Sequence, residues 1–244
     1  MRDPPIIAYT YGCMFAGKTN ALISQATQLM YAPGCDNAQP LFVGLRAHGI
    51  KRMLDCRQSP LTQSIRSRTG LCLIDVISIY TDDDISEILA LKSCKTLFID
   101  EAQFLTQAQV NALVDLHVKR DIIIHAYGLR CDIYGQPFPG SSALMAVAHK
   151  LHELTSVCSL CGNTASHTLN LKAMGYKPHD SHLEAPTLPL PKRAKNKQAT
   201  TITDTTTKPE TFIAVEDTNY IPACYNCWHK HVYSSVANAS TTSS

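Results

Sequence analysis

The sequence predicts an α/β fold, a mostly parallel sheet with helices on both faces. Three observations predict it. Short apolar runs alternate with stretches whose apolar residues recur at helical spacing. A glycine-bounded loop joins the first apolar run to the first helical stretch. A later apolar run ends in the acidic pair Asp100-Glu101, and such sheets bind ligands at the carboxyl ends of their strands.

The elements follow in order. Residues 6–11 form a short apolar strand and 12–18 the loop. Leu22, Ile23, Ala26, Leu29 and Met30 then mark a helix that Pro33-Gly34 ends. Residues 41–45 and 71–80 read as strands, and 85–91 as a short helix after Asp82-Asp83-Asp84. Residues 96–99 form the strand that runs into Asp100-Glu101. Thr106 is suited to cap the next helix, whose apolar face is Val110, Leu113, Val114 and Val118. A buried strand over 121–127 and a helix over 141–150 complete the alternation.

The pattern stops near residue 150, which sets a first domain at 1–150 and a second at 151–233. Within the second, residues 178–211 are rich in Thr, Pro and Lys, with few large apolar residues after Leu190. That composition predicts an exposed insertion without fixed structure. Its basic run, Lys192-Arg193-Ala194-Lys195-Asn196-Lys197, has no interleaved aromatic and reads as solvated charge. Residues 234–244 are small and polar and predict a frayed tail.

The chain of 244 residues has room for a sizeable core, and its 45% hydrophobic content is ordinary for a folded protein. A net charge of +2 gives no electrostatic case for nucleic acid or an acidic membrane surface. No apolar run reaches the length of a membrane span, and Met1-Arg2-Asp3-Pro4-Pro5 lacks the apolar core of a signal peptide. The expected compartment is therefore the cytoplasm. There, spaced cysteine pairs suggest metal ligands, not disulfides. Cys13, Cys35, Cys56, Cys72, Cys94 and Cys131 occur singly and read as small, partly buried hydrophobes.

Gly12-Cys13-Met14-Phe15-Ala16-Gly17-Lys18-Thr19 fits the pattern of a phosphate-binding loop. The glycines let backbone N–H groups turn toward phosphate oxygens, Lys18 supplies a point charge, and the Thr19 hydroxyl can ligate Mg²⁺. The following helix points its N-terminal dipole at the anion. Asp100, at a strand end, suits Mg²⁺, and Glu101 suits a general base. Cys158-Ser159-Leu160-Cys161 and Cys224-Tyr225-Asn226-Cys227 can close a four-cysteine zinc site around one long excursion. Two alternatives stand beside a kinase at this point: a motor-type ATPase in which Glu101 activates water, and a zinc-containing nucleic-acid binder.

Five stretches carry a closer resemblance. They are the phosphate loop; Phe98-Ile99-Asp100-Glu101-Ala102-Gln103-Phe104-Leu105; Tyr127-Gly128-Leu129-Arg130-Cys131-Asp132; Pro137-Phe138-Pro139-Gly140-Ser141; and Lys150-Leu151-His152-Glu153-Leu154 leading into Cys158. The chain resembles the zinc-binding thymidine kinases shared by bacteria and animals, the bacterial branch most. The resemblance implies a P-loop, RecA-like core and a small zinc-stapled domain whose loop, the lasso, folds over the nucleoside. It implies ATP with Mg²⁺ as phosphoryl donor, structural Zn²⁺, thymidine as acceptor, a cytoplasmic homotetramer and inhibition by dTTP.

Position by position, the resemblance makes Glu101 the catalytic base. It puts Asp100, Glu101, Ala102 and Gln103 on the ATP side of the cleft, and Asp55 and Arg57 near Mg²⁺ and the phosphates. Phe104, Leu129, Phe138 and Thr168 fall where the family holds thymine. Ile213, Ala214 and Val215 fall where the lasso's main chain meets the base, and Tyr220 where it closes the pocket. The family carries two glycines before that tyrosine; here Val215 and Glu216 stand instead. The expected consequence is weaker thymidine binding with ordinary ATP binding.

Overall fold

Strands covered on both faces become near-continuous apolar runs, and the computed structural model turns the apolar runs of this chain into such a sheet. It describes residues 6–31, 40–46, 63–80, 83–90, 94–172 and 219–240. In chain order the elements are β1 (Ile7–Gly12), α1 (Lys18–Met30), β2 (Leu41–Arg46), β3 (Gln63–Arg66), β4 (Cys72–Tyr80), α2 (Ile85–Ala90) and β5 (Thr96–Asp100). A 3₁₀ turn (Ala102–Phe104) leads to α3 (Gln107–Arg120), β6 (Ile123–Gly128), α4 (Pro139–Val147) and β7 (Lys150–Leu154). The short strands β8 (Ser156–Val157), β9 (Thr164–Ala165), β10 (His167–Asn170) and β11 (Tyr220–Ala223) follow, then α5 (Tyr225–Ser240).

The main sheet has seven strands in the order β3-β4-β2-β5-β6-β1-β7. Six run parallel; β3 pairs antiparallel with β4. Parallel register brings strand ends to one edge: Gly44 lies opposite Asp100, Tyr11 opposite Gly128, and Gly12 opposite Leu154. On one face Tyr9, Ile99 and Leu97 pack with residues of α2, α3 and α4, including Leu113 and Leu144. On the other, Leu22, Ile23 and Ala26 of α1 cover Phe42, Phe98 and Tyr127. A third cluster joins Cys13 to Leu169, Ile221, Ala223 and Trp228, so the small strands pack against the phosphate loop itself.

Thr106 caps α3 as expected: its hydroxyl accepts from Gln109 N while the Gln109 side chain accepts from Thr106 N. Several expectations are corrected. The helix expected over 141–150 spans Pro139–Val147, and a seventh strand follows it. Ala148 turns extended (φ −68, ψ 137), and His149 N donates to Ile7 O at 2.8 Å, which starts the pairing with β1. β7 is an edge strand with mostly exposed side chains, so it shows no apolar run. β3 carried no pattern of its own and forms by antiparallel pairing with β4.

The frayed tail expected from Ser234 is corrected as far as Ser240, because α5 continues through it. A helix already nucleated at its anchored end extends cheaply through small residues. Met30 and Val118 are exposed (46% and 74%), outside the apolar faces assigned to them, and Cys72 is exposed as well. Pro33-Gly34, Cys35, Asp55, Cys56, Arg57, the 178–211 insertion, Ile213, Ala214, Val215 and Glu216 lie outside the described residues.

Candidate active site

The phosphate loop leaves β1 at Gly12 and re-enters regular structure at Lys18. Gly17 makes that entry with φ 81, a left-handed conformation that costs glycine little. Phe15 also has positive φ, at 67, and the Arg68 guanidinium lies 3.9 Å above its ring. Lys18 curls back over the loop, its Nζ donating to Gly12 O (3.1 Å) and Cys13 O (2.8 Å). Burial pushes its pKa down, while Glu101 and then Cys13 and Asp100 pull it back up. A desolvated ammonium against two carbonyls is a cation poised for a stronger partner, and phosphate oxygens are one.

Thr19 Oγ1 donates to Asp100 Oδ2 at 3.4 Å, so the two oxygens expected to share a cation face each other. Asp100 is buried at the end of β5, and its Oδ1 accepts from Glu101 N at 3.0 Å. Glu101 is left-handed (φ 55, ψ 36), which turns the chain sharply at the strand end. Such strain in a non-glycine residue marks sites where side-chain direction matters. Gln103 Nε2 donates to Glu101 Oε2 at 2.7 Å, and Gln103 Oε1 accepts from Leu129 N at 3.0 Å. Ala102 and Gln103 are both buried, and these bonds of Gln103 run to Glu101 and Leu129.

Beside the loop lies a narrow cleft, closed in this structure to about 10 Å³, room for one water. Met14, Leu129, Cys131, Thr168 and Tyr220 are among the residues lining it. Thr168 Oγ1 accepts from Met14 N at 3.0 Å, tying β10 to the phosphate loop. Tyr220 stands opposite Asn170 in the β10–β11 ladder and is buried. Phe104 and Phe138 meet edge to face, 6.0 Å between centroids, and are not among the lining residues of that cleft. Of the residues assigned from sequence to the nucleoside, the structure thus gathers Leu129, Thr168 and Tyr220 in one cleft and pairs Phe104 with Phe138 beside each other.

The thiols of Cys158, Cys161, Cys224 and Cys227 lie within 4.8 Å of one another, Cys161 and Cys224 at 3.5 Å. Burial acts to raise the Cys158 thiol, but backbone N–H groups of Cys224, Leu160 and Cys161 outweigh it and bring it down to about 7. Burial and then the neighbouring Cys161 thiol push Cys227 up to about 12. Four thiols at this spacing fit a tetrahedral ion with no open position. Among the described residues no other His, Cys, Asp and Glu group gathers this way.

Sequence reading missed the clasp that seats this small unit. Trp228 Nε1 donates to Ile133 O at 2.8 Å, and its ring stacks on His167 at 4.4 Å. Burial and then Arg130 hold His167 down to about 4, so it is neutral at physiological pH. Arg130 Nη2 lies 3.4 Å from His167 Nε2, and Arg130 Nη1 lies 3.7 Å from Glu153 on β7. Only the single tryptophan, next to one of the paired cysteines, hinted at it.

The sequence model of the thymidine kinase family matches residues 6–228. The thymidine kinase of Enterobacteria phage T4 is 34% identical over 174 residues, 69% of this chain and 82% of that protein. The thymidine kinase of Idiomarina loihiensis is 31% identical over 171 residues, 68% of this chain and 81% of its own length. That of Haemophilus influenzae is 40% identical over 93 residues, 38% of this chain and 48% of its own length.

Proposed function

The chain belongs to the thymidine kinase family, and we propose that its site transfers the γ-phosphate of ATP to the 5′-hydroxyl of thymidine, giving dTMP and ADP. The observation that carries the reading is the double position of Met14. It belongs to the phosphate loop, it lines the cleft with Leu129, Thr168 and Tyr220, and its N–H is held by Thr168. A phosphate bound on the loop and a nucleoside admitted by opening of the cleft would then be neighbours, as in-line transfer requires.

In the reaction the 5′-oxygen forms a bond to the γ-phosphorus as the bond to the β,γ-bridging oxygen breaks, and that oxygen leaves on ADP. Glu101 takes the hydroxyl proton. Lys18 exchanges its two loop carbonyls for phosphate oxygens and carries part of the developing charge. Thr19 and Asp100 would hold Mg²⁺, which when bound neutralises phosphate charge. Asp55 and Arg57 are assigned to the phosphates on resemblance alone.

Leu129, Thr168 and Tyr220 wall the base and Phe104 and Phe138 support it; Ile213, Ala214 and Val215 are assigned to it on resemblance alone. The four cysteines would hold Zn²⁺ as a structural ion, keeping β10 and β11 seated beside the loop. A cytoplasmic homotetramer belongs to the same reading; among the described residues no helix is long and apolar enough to cross a membrane.

The test is phosphoryl transfer from γ-labelled ATP against a panel of nucleosides. Label appearing in dTMP, with phosphate release from ATP dependent on nucleoside, is the expected result. Nucleoside-independent phosphate release would favour a motor-type hydrolase instead.

A further inference from the structure

Gln103 joins two parts of the site that the reaction above treats separately. It is 1% exposed, and both ends of its amide are engaged, Nε2 with Glu101 Oε2 at 2.7 Å and Oε1 with Leu129 N at 3.0 Å. A side-chain amide is a neutral group that donates at one end and accepts at the other. The two things it holds are the carboxylate assigned as base and the backbone of a residue lining the nucleoside cleft.

Each end is constrained in turn. Glu101 sits in its left-handed turn, and Gln103 follows within the 3₁₀ turn that Glu101 starts. Leu129 O accepts from Tyr9 Oη (2.8 Å) and Ser141 Oγ (2.6 Å), so both polar backbone atoms of Leu129 are fixed from the core. Burial pushes the Tyr9 phenol up to about 12, which keeps it a donor. Between the two ends lies Gly128. A Cβ there would stand 2.7 Å from Gln103 Oε1, 2.9 Å from Gln103 N and 3.1 Å from Tyr9 Oη, so glycine gives room both to the bridge and to the turn that carries it.

We propose that Gln103 is a positioning residue: it holds the Glu101 carboxylate in register with the Leu129 wall of the nucleoside cleft. The proposal rests on Glu101 being the base. A glutamine that merely satisfies buried polar groups would make the same two bonds, so the test must read dependence on Glu101, not loss of activity alone.

The experiment is a double-mutant cycle on the full-length protein. Gln103→Met, of similar length but without the amide, is made in the wild-type and in the Glu101→Gln background, and kcat is measured with thymidine and ATP. ADP affinity by calorimetry checks that the phosphate loop is intact. The expected result is a roughly ten- to hundredfold fall in kcat in the wild-type background, the scale of a misplaced reacting group. With kcat taken at saturating ATP, so that any change in nucleotide affinity at Gln103 is read separately, the Glu101→Gln background should show no further fall. Equal falls in both backgrounds, or no fall in the first, overturn the proposal.

If Glu101→Gln alone keeps wild-type kcat, the base assignment fails and the proposal falls with it, a result with a different signature from either of those. Should Gln103→Met not bind ADP, Gln103→Glu replaces it, keeping the length and an acceptor for Leu129 N while removing the donor to Glu101. The same background-dependent fall is expected, and equal falls again overturn the proposal.

Discussion

The two halves of this molecule are held together by different physics. Around the phosphate loop, β1, β5 and β6 are neighbours in a sheet with helices on both faces, and the site is made of strand ends and main-chain turns. Around the cleft, β8 to β11 are two to four residues long and are held by a small buried cluster with Cys13, four neighbouring thiols, a tryptophan hydrogen bond and a stacked histidine. A broad core supports the first half; a small cluster and a few long-range clasps support the second. The halves should therefore fail separately, in chemistry on one side and in nucleoside affinity on the other.

The largest effect expected is at Lys18. Its ammonium touches two loop carbonyls and is not part of the hydrophobic core, so Lys18→Ala should abolish turnover while the circular dichroism spectrum and melting temperature stay close to wild type. An active, well-folded variant would break the comparison at its strongest point. Next comes Glu101→Gln, expected to lower kcat by roughly 10² to 10⁴, the span for a removed general base, with ATP affinity little changed. A fall of less than about threefold would move the base elsewhere.

On the clasped side, metal analysis of reduced protein purified without added metal should find one zinc per chain. Replacing any of Cys158, Cys161, Cys224 or Cys227 by Ser should raise the thymidine KM before it lowers ATP affinity. Trp228→Ala should do the same. It loses the bond to Ile133 O and the stack on His167, with a local cost of about 3–5 kcal/mol by analogy with buried aromatic truncations. If ATP affinity falls in step with thymidine affinity in these variants, the halves are one cooperative unit and the contrast drawn above is wrong.

The smallest effect concerns acid. Burial, then His152 and Lys150, hold His125 down to about 4, below the ordinary histidine value. The unfolded chain therefore binds the extra proton first. The stability that neutral His125 contributes is complete above about pH 6.5 and is lost as pH falls toward 4. His125 stacks on Phe98 in the core that α1 covers. His125→Gln should shrink the loss of Tm between pH 7 and pH 5 by roughly 2–4 °C, corresponding to about 1 kcal/mol after allowing for partial exposure. An unchanged pH dependence would show that other groups carry the acid response.

The same contrast explains what could be read in advance. Buried parallel strands announce themselves as apolar runs, so β1, β5 and β6, the phosphate loop and Asp100-Glu101 were legible, as was the Thr106 cap. β7 was not, because Lys150, Leu151, His152 and Glu153 face outward on an edge and mimic the continuation of a helix. The four cysteines were legible because ligand spacing is local, two residues between each pair. The bridge through Gln103 and the seat of Trp228 were not. Their partners, Leu129 and Ile133, lie 26 and 95 positions away, and nothing in local pattern records such a distance.

The antiparallel pairing of β10 with β11 carries a consequence for how this protein can be altered. Asn170 faces Tyr220, and Leu171 N donates to Asn219 O at 2.7 Å. Leu171 and Asn219, far apart in the chain, are thus stitched side by side, next to a cleft residue. Whatever is spliced between them meets the same two anchors. Each doubling of the spliced length adds only about 0.6 kcal/mol of closure entropy. Length changes confined to 178–211, outside the residues assigned to the nucleoside, should therefore be tolerated, and their effect on thymidine KM can be titrated by length.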